Sequence, residues 1–151
     1  MAGSSPDAFE AALSALRVKE RTTAELAALL ERRGYHPQEV ADAISRLADA
    51  GELDDARFAR RYAEDKRELR GWGPERIRAA LEARGVPSAL GEAALEADTH
   101  EAQVGRAREL LEARARPLGT EADRARALGF LARRGYDYEI AHEAIRRAIR
   151  G

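Results

Sequence analysis

Three segments of the chain share the same order of apolar, charged and glycine positions. Each begins with a leucine, continues to an arginine and a glycine, and ends in an apolar or aromatic residue: Leu30–Tyr35, Leu81–Val86 and Leu131–Tyr136. The three glycines are 51 and 50 residues apart, and the tenth residue after each glycine is aliphatic. A period of about fifty residues predicts a repeat protein, and it differs from the spacing of tetratricopeptide and ankyrin repeats.

Each shared segment predicts the end of a helix. Glycine just past a helix adopts the left-handed conformation without steric cost, and the residue that follows it packs back onto the last turn. We therefore expect positive φ angles at Gly34, Gly85 and Gly135. The arginine before each glycine is also well placed against the negative end of the helix dipole.

Helix starts are predicted at matching positions. Thr22–Glu25 has the order of a capping box, in which the threonine and the glutamate each bind a free backbone N–H. Pro74 follows Gly73 and fits the first position of a helix, where no donor is lost. Trp72 and Ile77 stand where a hydrophobic staple would place them. The third repeat is the looser match, because Ala127 stands where the other two repeats have Leu26 and Ile77.

The central segment starts a further helix. Asp54 is predicted to be its N-cap, where a carboxylate accepts backbone N–H groups and faces the positive helix end. Leu53 and Phe58 have the spacing of a second staple. Phe58, Tyr62 and Leu69 recur on one predicted face, with Ala59 and Ala63 beside them. The residues that we expect to be largely buried are Phe58, Tyr62, Ile77, Leu81, Leu95 and Leu131.

These signals predict an all-α fold of nine helices, at 8–19, 22–33, 37–49, 54–70, 74–84, 87–97, 100–114, 120–134 and 138–150. They form three tandem three-helix repeats of about 50 residues, over 8–50, 51–98 and 99–151, after a flexible tail at 1–7. A unit this small buries little surface alone, so the repeats are expected to stack into one elongated, curved array.

Composition supports the helical class. Alanine and leucine dominate, whereas the β-branched residues that favour strands are few. The chain has no cysteine, which excludes disulfides and Cys-ligated zinc and fits a reducing cytosol. No apolar run is long enough to span a bilayer, and Met1–Pro6 lacks the features of a signal peptide. We therefore expect a cytoplasmic protein with no membrane partner.

The sequence offers no candidate catalytic site. Asp54 and Asp55 could bind a metal as a pair, but no third ligand stands at a useful spacing, and capping explains them better. The three histidines are scattered along the chain, at positions 36, 100 and 142. Nucleophile elbows and phosphate-binding loops are absent. We predict a protein that is not an enzyme and has no metal and no cofactor.

Charge gives the candidate binding residues. The net charge is −1, which argues against a generally basic nucleic-acid-binding protein. From 54 to 84, however, nine basic residues stand against seven acidic ones. The candidates for contact with a partner or DNA are Arg57, Arg60, Arg61, Arg67, Arg70, Trp72, Arg76, Arg78, Arg146 and Arg147. Two alternatives stay open: the arginines of the central helix form a solvated face together with Glu64, Asp65 and Glu68, and Trp72 is a staple of the core.

The central motifs resemble the RecX family. They are Gly51-Glu-Leu-Asp-Asp-Ala-Arg-Phe-Ala59 and Arg70-Gly-Trp-Gly-Pro-Glu-Arg-Ile77, followed by Leu81 and Gly85. The first-repeat stretch Thr22–Gly34 and the last stretch Phe130–Tyr136 are similar to the family as well. Glu52 departs from the pattern, since an aromatic residue is expected there.

The resemblance implies tandem three-helix repeats and a regulator that binds the RecA recombinase filament along its groove. We expect the chain to be a monomer. It implies inhibition of the filament's ATPase, strand-exchange and co-protease activities in recombination, DNA repair and the SOS response. Some relatives also bind DNA, single-stranded or duplex. The alternative function is therefore a helical module that acts directly on DNA by placing one helix in the major groove. Salt separates the two, because phosphate contacts weaken steeply as salt rises.

Overall fold

The structure, a computed structural model, describes residues 6–151, and this part of the chain is all helical. Its nine helices are α1 (Ala8–Val18), α2 (Thr23–Arg32), α3 (Pro37–Asp49), α4 (Asp55–Arg70), α5 (Pro74–Ala83), α6 (Ser88–Leu95), α7 (His100–Arg114), α8 (Glu121–Arg133) and α9 (Tyr138–Arg150). Every predicted helix is present, and each end lies within two residues of its predicted place. The all-α class and the order of three three-helix repeats are confirmed.

Part of the predicted tail, residues 1–5, lies outside the described residues. Its last residue, Asp7, is the N-cap of α1 and accepts the Glu10 N–H at 2.8 Å. The carbonyl of Pro6 accepts the hydroxyl of Tyr35 at 2.6 Å. Pro6 and Asp7 are therefore held by the first repeat.

The three repeat glycines have the predicted backbone. Their φ angles are +89° at Gly34, +81° at Gly85 and +100° at Gly135. After each glycine, the next N–H donates to the carbonyl of the leucine that begins the segment, at 3.2, 3.0 and 3.1 Å. The glycine N–H donates to the carbonyl three residues before it, at 3.0, 2.9 and 3.0 Å. This pair of bonds is the Schellman motif, so the sequence pattern identified the helix ends correctly.

A fourth turn of this kind lies between the predicted helices 37–49 and 54–70. Gly51 has φ +75°, and the Glu52 N–H donates to the Leu47 carbonyl at 2.9 Å. The turn brings Leu53 into the core, where it is 4% exposed. Asp54 then caps α4 as predicted, accepting the Arg57 N–H at 3.0 Å.

The predicted helix starts are also confirmed. Thr22 accepts the Glu25 N–H at 3.1 Å, and the Glu25 carboxylate accepts the Thr22 N–H at 3.0 Å, which completes the capping box. Pro74 is the first residue of α5. In the third repeat Ala127 is fully buried, with Leu128 and Phe130 packed beside the core.

The described chain forms two compact units, each with its own core. Of the described residues, the first unit comprises residues 6–59 and Leu81–Gly91, and the second comprises Arg60–Ala80 and Glu92–Gly151. In the first unit, four alanines of α1 pack with apolar side chains of α2 and α3: Leu26, Leu30, Val40 and Leu47. In the second unit, α7, α8 and α9 supply the core residues: Val104, Leu111, Leu131, Ile140 and Ile145.

One part of the predicted core is wrong. Phe58 is 5% exposed, but Tyr62 is only half-buried and Leu69 is 78% exposed. The buried stripe of α4 is centred on the fully buried Ala59 and Ala63. Since each residue turns a helix by about 100°, Leu69 lies in line with Tyr62 at the edge of the stripe. The other predicted core residues are buried: Ile77, Leu81, Leu95 and Leu131.

Candidate functional site

In the second unit, the segment Arg70–Pro74 lies against the turn that ends α8. The N–H of Gly73 donates to the Arg134 carbonyl at 2.8 Å, and the N–H of Glu75 donates to the Gly135 carbonyl at 2.9 Å. A Cβ atom on Gly73 would lie 2.5 Å from the Gly135 carbonyl oxygen, closer than real atoms approach. Glycine is therefore required here for close approach of two backbones.

A buried polar network fixes the start of this segment. The guanidinium of Arg106 donates to the Tyr136 hydroxyl at 2.7 Å and to both carboxylate oxygens of Asp98, at 3.1 and 2.7 Å. The Tyr136 hydroxyl donates onward to the Gly71 carbonyl at 2.7 Å. Burial raises the pKa of Tyr136 above its ordinary value. Burial would lower the pKa of Arg106, but the hydrogen bonds and charge of Asp98 raise it, so the guanidinium stays charged.

The ring of Trp72 is engaged by its own chain. The Arg76 guanidinium carbon lies 4.2 Å from the ring centroid, and the Lys66 ammonium nitrogen lies 4.9 Å from it. Tyr62 meets the ring edge to face, with centroids 6.4 Å apart. Arg76 also donates to the Arg133 carbonyl at 3.3 Å. A nucleobase could stack on Trp72 only after these cations moved. This favours a structural role for Trp72 over a contact with a partner or DNA.

Beside this segment lies an open cleft of about 940 Å³ in the second unit. Four arginines line it: Arg67, Arg70, Arg106 and Arg134. Asp98 neutralises Arg106, and two further carboxylates, Glu68 and Glu109, belong to the walls. The exposed Leu69 and the half-buried Leu110 add apolar surface. The cleft thus offers positive charge next to exposed apolar carbon.

Arg67 has an unused donor at this cleft. Its Nη1 atom is buried and has no hydrogen-bond partner among the described residues. A buried donor on a charged group is costly when it has no acceptor. Arg67 therefore adds positive charge to the lining of the cleft, while its Nη1 atom itself is not exposed to solvent.

The remaining predicted arginines of α4 differ in their surroundings. Arg57 donates to the Gly51 carbonyl at 3.1 Å, so it supports the end of α3. Arg60 and Arg61 are exposed, and Arg60 makes no hydrogen bond or ion pair within residues 6–151. Glu64 is exposed one helical turn after Arg60. The outer face of the helix therefore mixes charges, as the solvated-face alternative predicts.

Three other candidates are paired with carboxylates of the chain. Arg78 binds Glu75 at 2.7 Å and Glu92 through its Nη2 atom at 3.2 Å. These bonds raise the pKa of Arg78, and they lower that of Glu92. Arg146 pairs with Glu143.

Arg147 is the most heavily paired of the predicted candidates. Its two Nη atoms donate to the Glu101 carboxylate at 2.9 and 2.7 Å, and its Nε atom donates to Glu143 at 3.0 Å. These bonds raise the pKa of Arg147 and lower that of Glu101. The charges of Arg78, Arg146 and Arg147 are therefore largely compensated within the chain. Among the predicted arginines, those that remain available for a partner are Arg60, Arg67 and Arg70.

Sequence reasoning did not place Leu110 or the Asp98–Arg106 pair at the site. Asp98 and Arg106 are eight residues apart, but the bonds that join them to the segment are long-range: Arg106 to Tyr136 spans 30 residues and Tyr136 to Gly71 spans 65. Within residues 6–151, no group of three or more His, Asp or Glu side chains is arranged to hold a metal ion. No helix of this part of the chain is long and apolar enough to cross a membrane.

Comparisons with known proteins agree on one family. The family profile of the first three-helix domain of RecX matches residues 8–47, and that of the second matches residues 54–95. Regulatory protein RecX of Halorhodospira halophila is 40% identical over 139 residues, which are 89% of this chain and 84% of the relative. That of Deinococcus radiodurans is 40% identical over 136 residues, 89% of this chain and 65% of the relative.

A solved structure supports the fold independently. The crystal structure of RecX from Lactobacillus salivarius superposes with a TM-score of 0.87 and covers 95% of this chain and 96% of its own. The two sequences are only 22% identical, so this likeness concerns the fold.

Proposed function

The chain belongs to the RecX family of regulatory proteins, and we propose that it binds the filament that RecA recombinase forms on DNA. Bound there, it lowers the ATPase, strand-exchange and co-protease activities of the filament in the cytoplasm. It acts by occupying a surface of the filament, without a catalytic step. The names of its relatives support the regulatory role.

The cleft beside Arg70 is the observation that carries this proposal. It combines the guanidiniums of Arg67, Arg70 and Arg134 with the exposed Leu69. Interfaces between proteins are typically built from arginine and apolar anchors of this kind. We therefore assign the cleft to an acidic side chain of the recombinase that is flanked by apolar residues.

The charge distribution favours a protein partner over bare DNA. Binding to phosphates alone needs several uncompensated cations along one surface. Here Arg78, Arg146 and Arg147 are paired within the chain, and the net charge is −1. Only local positive surface remains, which suits a partner that is acidic in places.

The test measures ATP hydrolysis by the recombinase of the same organism on single-stranded DNA while this protein is titrated in. We expect hydrolysis to fall as the protein saturates the filament. Binding of the protein to DNA alone is then measured over a salt series. Strong DNA binding that falls steeply with salt, together with unchanged ATP hydrolysis, would support the DNA-binding alternative and overturn the proposal.

A further inference from the structure

The turn that ends α5 receives the first turn of α2 within the first unit. The Thr22 hydroxyl donates to the Arg84 carbonyl at 2.7 Å, and the Arg84 guanidinium donates twice to the Glu25 carboxylate, at 3.0 and 2.9 Å. A Cβ atom on Gly85 would lie 2.4 Å from the Cβ of Ala24. The start of one helix therefore sits directly on the glycine that ends another.

The same junction occurs in the second unit, one repeat further on. The turn that ends α8 receives the first turn of α5, with the Gly73 N–H bound to the Arg134 carbonyl. A Cβ atom on Gly135 would lie 2.6 Å from the Arg76 backbone nitrogen. Thr22 and Gly73 each precede the N-terminal residue of their helix and stand twelve residues before the glycine of their own repeat. The glycine turn of each of these repeats thus binds the second helix of the repeat before it.

The first repeat has the same glycine turn, and nothing described occupies it. Gly34 has the same left-handed backbone, but a Cβ atom placed on it would meet no atom within 4 Å. Arg32 and Arg33 are exposed, and neither forms an ion pair within residues 6–151. In the other two repeats the arginine before the glycine offers its carbonyl to a donor on the docked helix. At the Gly34 turn, the Arg33 carbonyl, the surface of the glycine and the Arg33 guanidinium are therefore available to a docking helix.

The third repeat has a helix start that matches the segment docked on Gly85. The first turn of α8 is Thr120-Glu121-Ala122-Asp123, which has the threonine, alanine and carboxylate of Thr22-Thr23-Ala24-Glu25 in the same order. It forms the same capping box, with Asp123 N–H bound to the Thr120 oxygen and Thr120 N–H bound to the Asp123 carboxylate, both at 3.0 Å. Thr120, Glu121 and Ala122 are exposed.

We propose that the Gly34 turn of one copy of this chain binds the first turn of α8 of a second copy, head to tail. In this contact Ala122 lies over Gly34, as Ala24 lies over Gly85. The Thr120 hydroxyl donates to the Arg33 carbonyl, and the Asp123 carboxylate receives the Arg33 guanidinium. Charge supports the match, since the turn carries two exposed arginines and the helix start carries the exposed Glu121 together with Asp123, which also binds Arg126 of its own chain at 2.7 Å. Such a contact is heterologous, so it can continue from copy to copy.

The greater length of α8 affects the spacing between two associated copies. α8 has 13 residues, whereas α2 and α5 have 10, so its start projects about 4.5 Å further from the glycine of its repeat. The step between two copies therefore differs from the step between repeats of one chain. A contact of one turn with one helix start is small, so we expect a monomer in dilute solution and association only near ~1 mM.

The test follows backbone amide chemical shifts of the full chain between ~0.02 and ~1 mM, without recombinase or DNA. We expect concentration-dependent shifts at Arg33–Tyr35 and at Thr120–Asp123, and nowhere else of the same size. The Gly34→Ala variant should lose them, because a methyl group would occupy the place of Ala122. Gly51→Ala is the matched control, since Gly51 also has positive φ and open space around its Cβ position. It should retain the shifts.

Charge exchange gives a second, independent measurement. Arg33→Glu and Asp123→Lys should each weaken self-association by ~5-fold or more, because an attractive contact becomes repulsive. An equimolar mixture of the two variants restores opposite charges at the contact, with the new carboxylate on the turn of one variant and the new ammonium on α8 of the other. The mixture should therefore associate more strongly than either variant alone.

Three outcomes would overturn the proposal. The first is the absence of concentration-dependent shifts in the wild type. The second is a set of shifts that survives equally in the Gly34→Ala and Gly51→Ala variants. The third is a mixture of the two charge variants that associates no better than its components.

Discussion

The guanidinium of Arg106 binds both carboxylate oxygens of Asp98, and the Asp98 side chain is wholly buried. The two charges are tolerated here because they neutralise each other through two hydrogen bonds. The Asp98 carbonyl accepts the Gln103 amide at 2.9 Å, and Arg106 also binds the Tyr136 hydroxyl. The pair therefore links the start of α7 to the turn after α8, which in turn holds the Arg70–Pro74 segment that borders the cleft.

Removing one member of this pair should be strongly destabilising. We expect Asp98→Asn to lower the free energy of unfolding by about 3–5 kcal/mol, because it leaves the buried Arg106 charge without its counterion. Replacing both residues together with apolar ones should cost less than the single change. Urea denaturation measures both. Arg108→Gln, which removes an exposed pair with Glu112, is the control and should leave the midpoint nearly unchanged.

The repeat glycines should differ in their tolerance of alanine. The left-handed backbone costs any residue with a Cβ about 1–2 kcal/mol, and this applies equally to Gly34, Gly51 and Gly85. Only at Gly85 does the new methyl group also collide with Ala24 inside the chain. Thermal unfolding should therefore show Gly85→Ala as the least stable of the three variants. Equal losses at all three positions would contradict the junction described above.

What the sequence predicted correctly was local. The end of α2 is visible because Leu30 and Gly34 lie within one turn of each other, and the capping box at Thr22 spans four residues. The ion pair of Arg147 with Glu101 spans 46 residues, and the sequence has no signal for it. The cleft and the pairing of the arginines could therefore not be predicted from the sequence. The exposure of Leu69 was not predictable either, because a spacing pattern gives a direction around the helix but not how far the neighbouring elements cover that direction.

The buried Leu81 of α5 and the exposed Leu69 of α4 should differ in their contribution to stability. Leu81 is 1% exposed, so Leu81→Ala should lower the free energy of unfolding by about 2–5 kcal/mol through lost packing and the cavity left behind. Leu69→Ala should change it by less than about 0.5 kcal/mol, since exposed positions contribute little. Chemical denaturation of the two variants in parallel checks both values. A large loss for Leu69→Ala would show that its side chain is covered in solution.

The junction at Gly85 should make stability depend on pH in the acid range. Burial alone would raise the pKa of the Glu25 carboxyl, but hydrogen bonds from Arg84 and from the Thr22 N–H lower it below its ordinary value of 4.5. Because the folded pKa is the lower one, the stabilisation is complete above pH 4.5 and is lost as the pH falls through the folded value. Glu25→Gln keeps the cap but removes the charge.

Urea unfolding at about pH 7 and about pH 3 measures this effect. The wild type should be more stable than Glu25→Gln at the higher pH, and the difference should shrink at the lower pH. Glu31→Gln on the same helix is the control and should follow the wild type at both. A difference that is the same at both pH values would mean that the ion pair with Arg84 contributes nothing.

The exposed arginines of α4 should control binding to the recombinase filament. Arg60 and Arg61 lie on the helix that also carries Arg67 and Arg70. Because their side chains are exposed, reversing their charge should leave helical circular dichroism and the melting temperature nearly unchanged. The Arg60→Glu, Arg61→Glu double variant should nevertheless weaken inhibition of the DNA-dependent ATPase sharply, because contacts to an acidic partner become repulsive.

The matched comparison is the Arg146→Glu, Arg147→Glu double variant, which changes charge equally on α9. Arg146 and Arg147 are already engaged by Glu143 and Glu101, so we expect this variant to inhibit the recombinase nearly as well as the wild type, provided that its melting temperature shows it to be folded. Titrating both variants against the same filament distinguishes the two surfaces. If the α4 variant inhibits normally and the α9 variant does not, the partner contacts the C-terminal helix and not the outer face of α4.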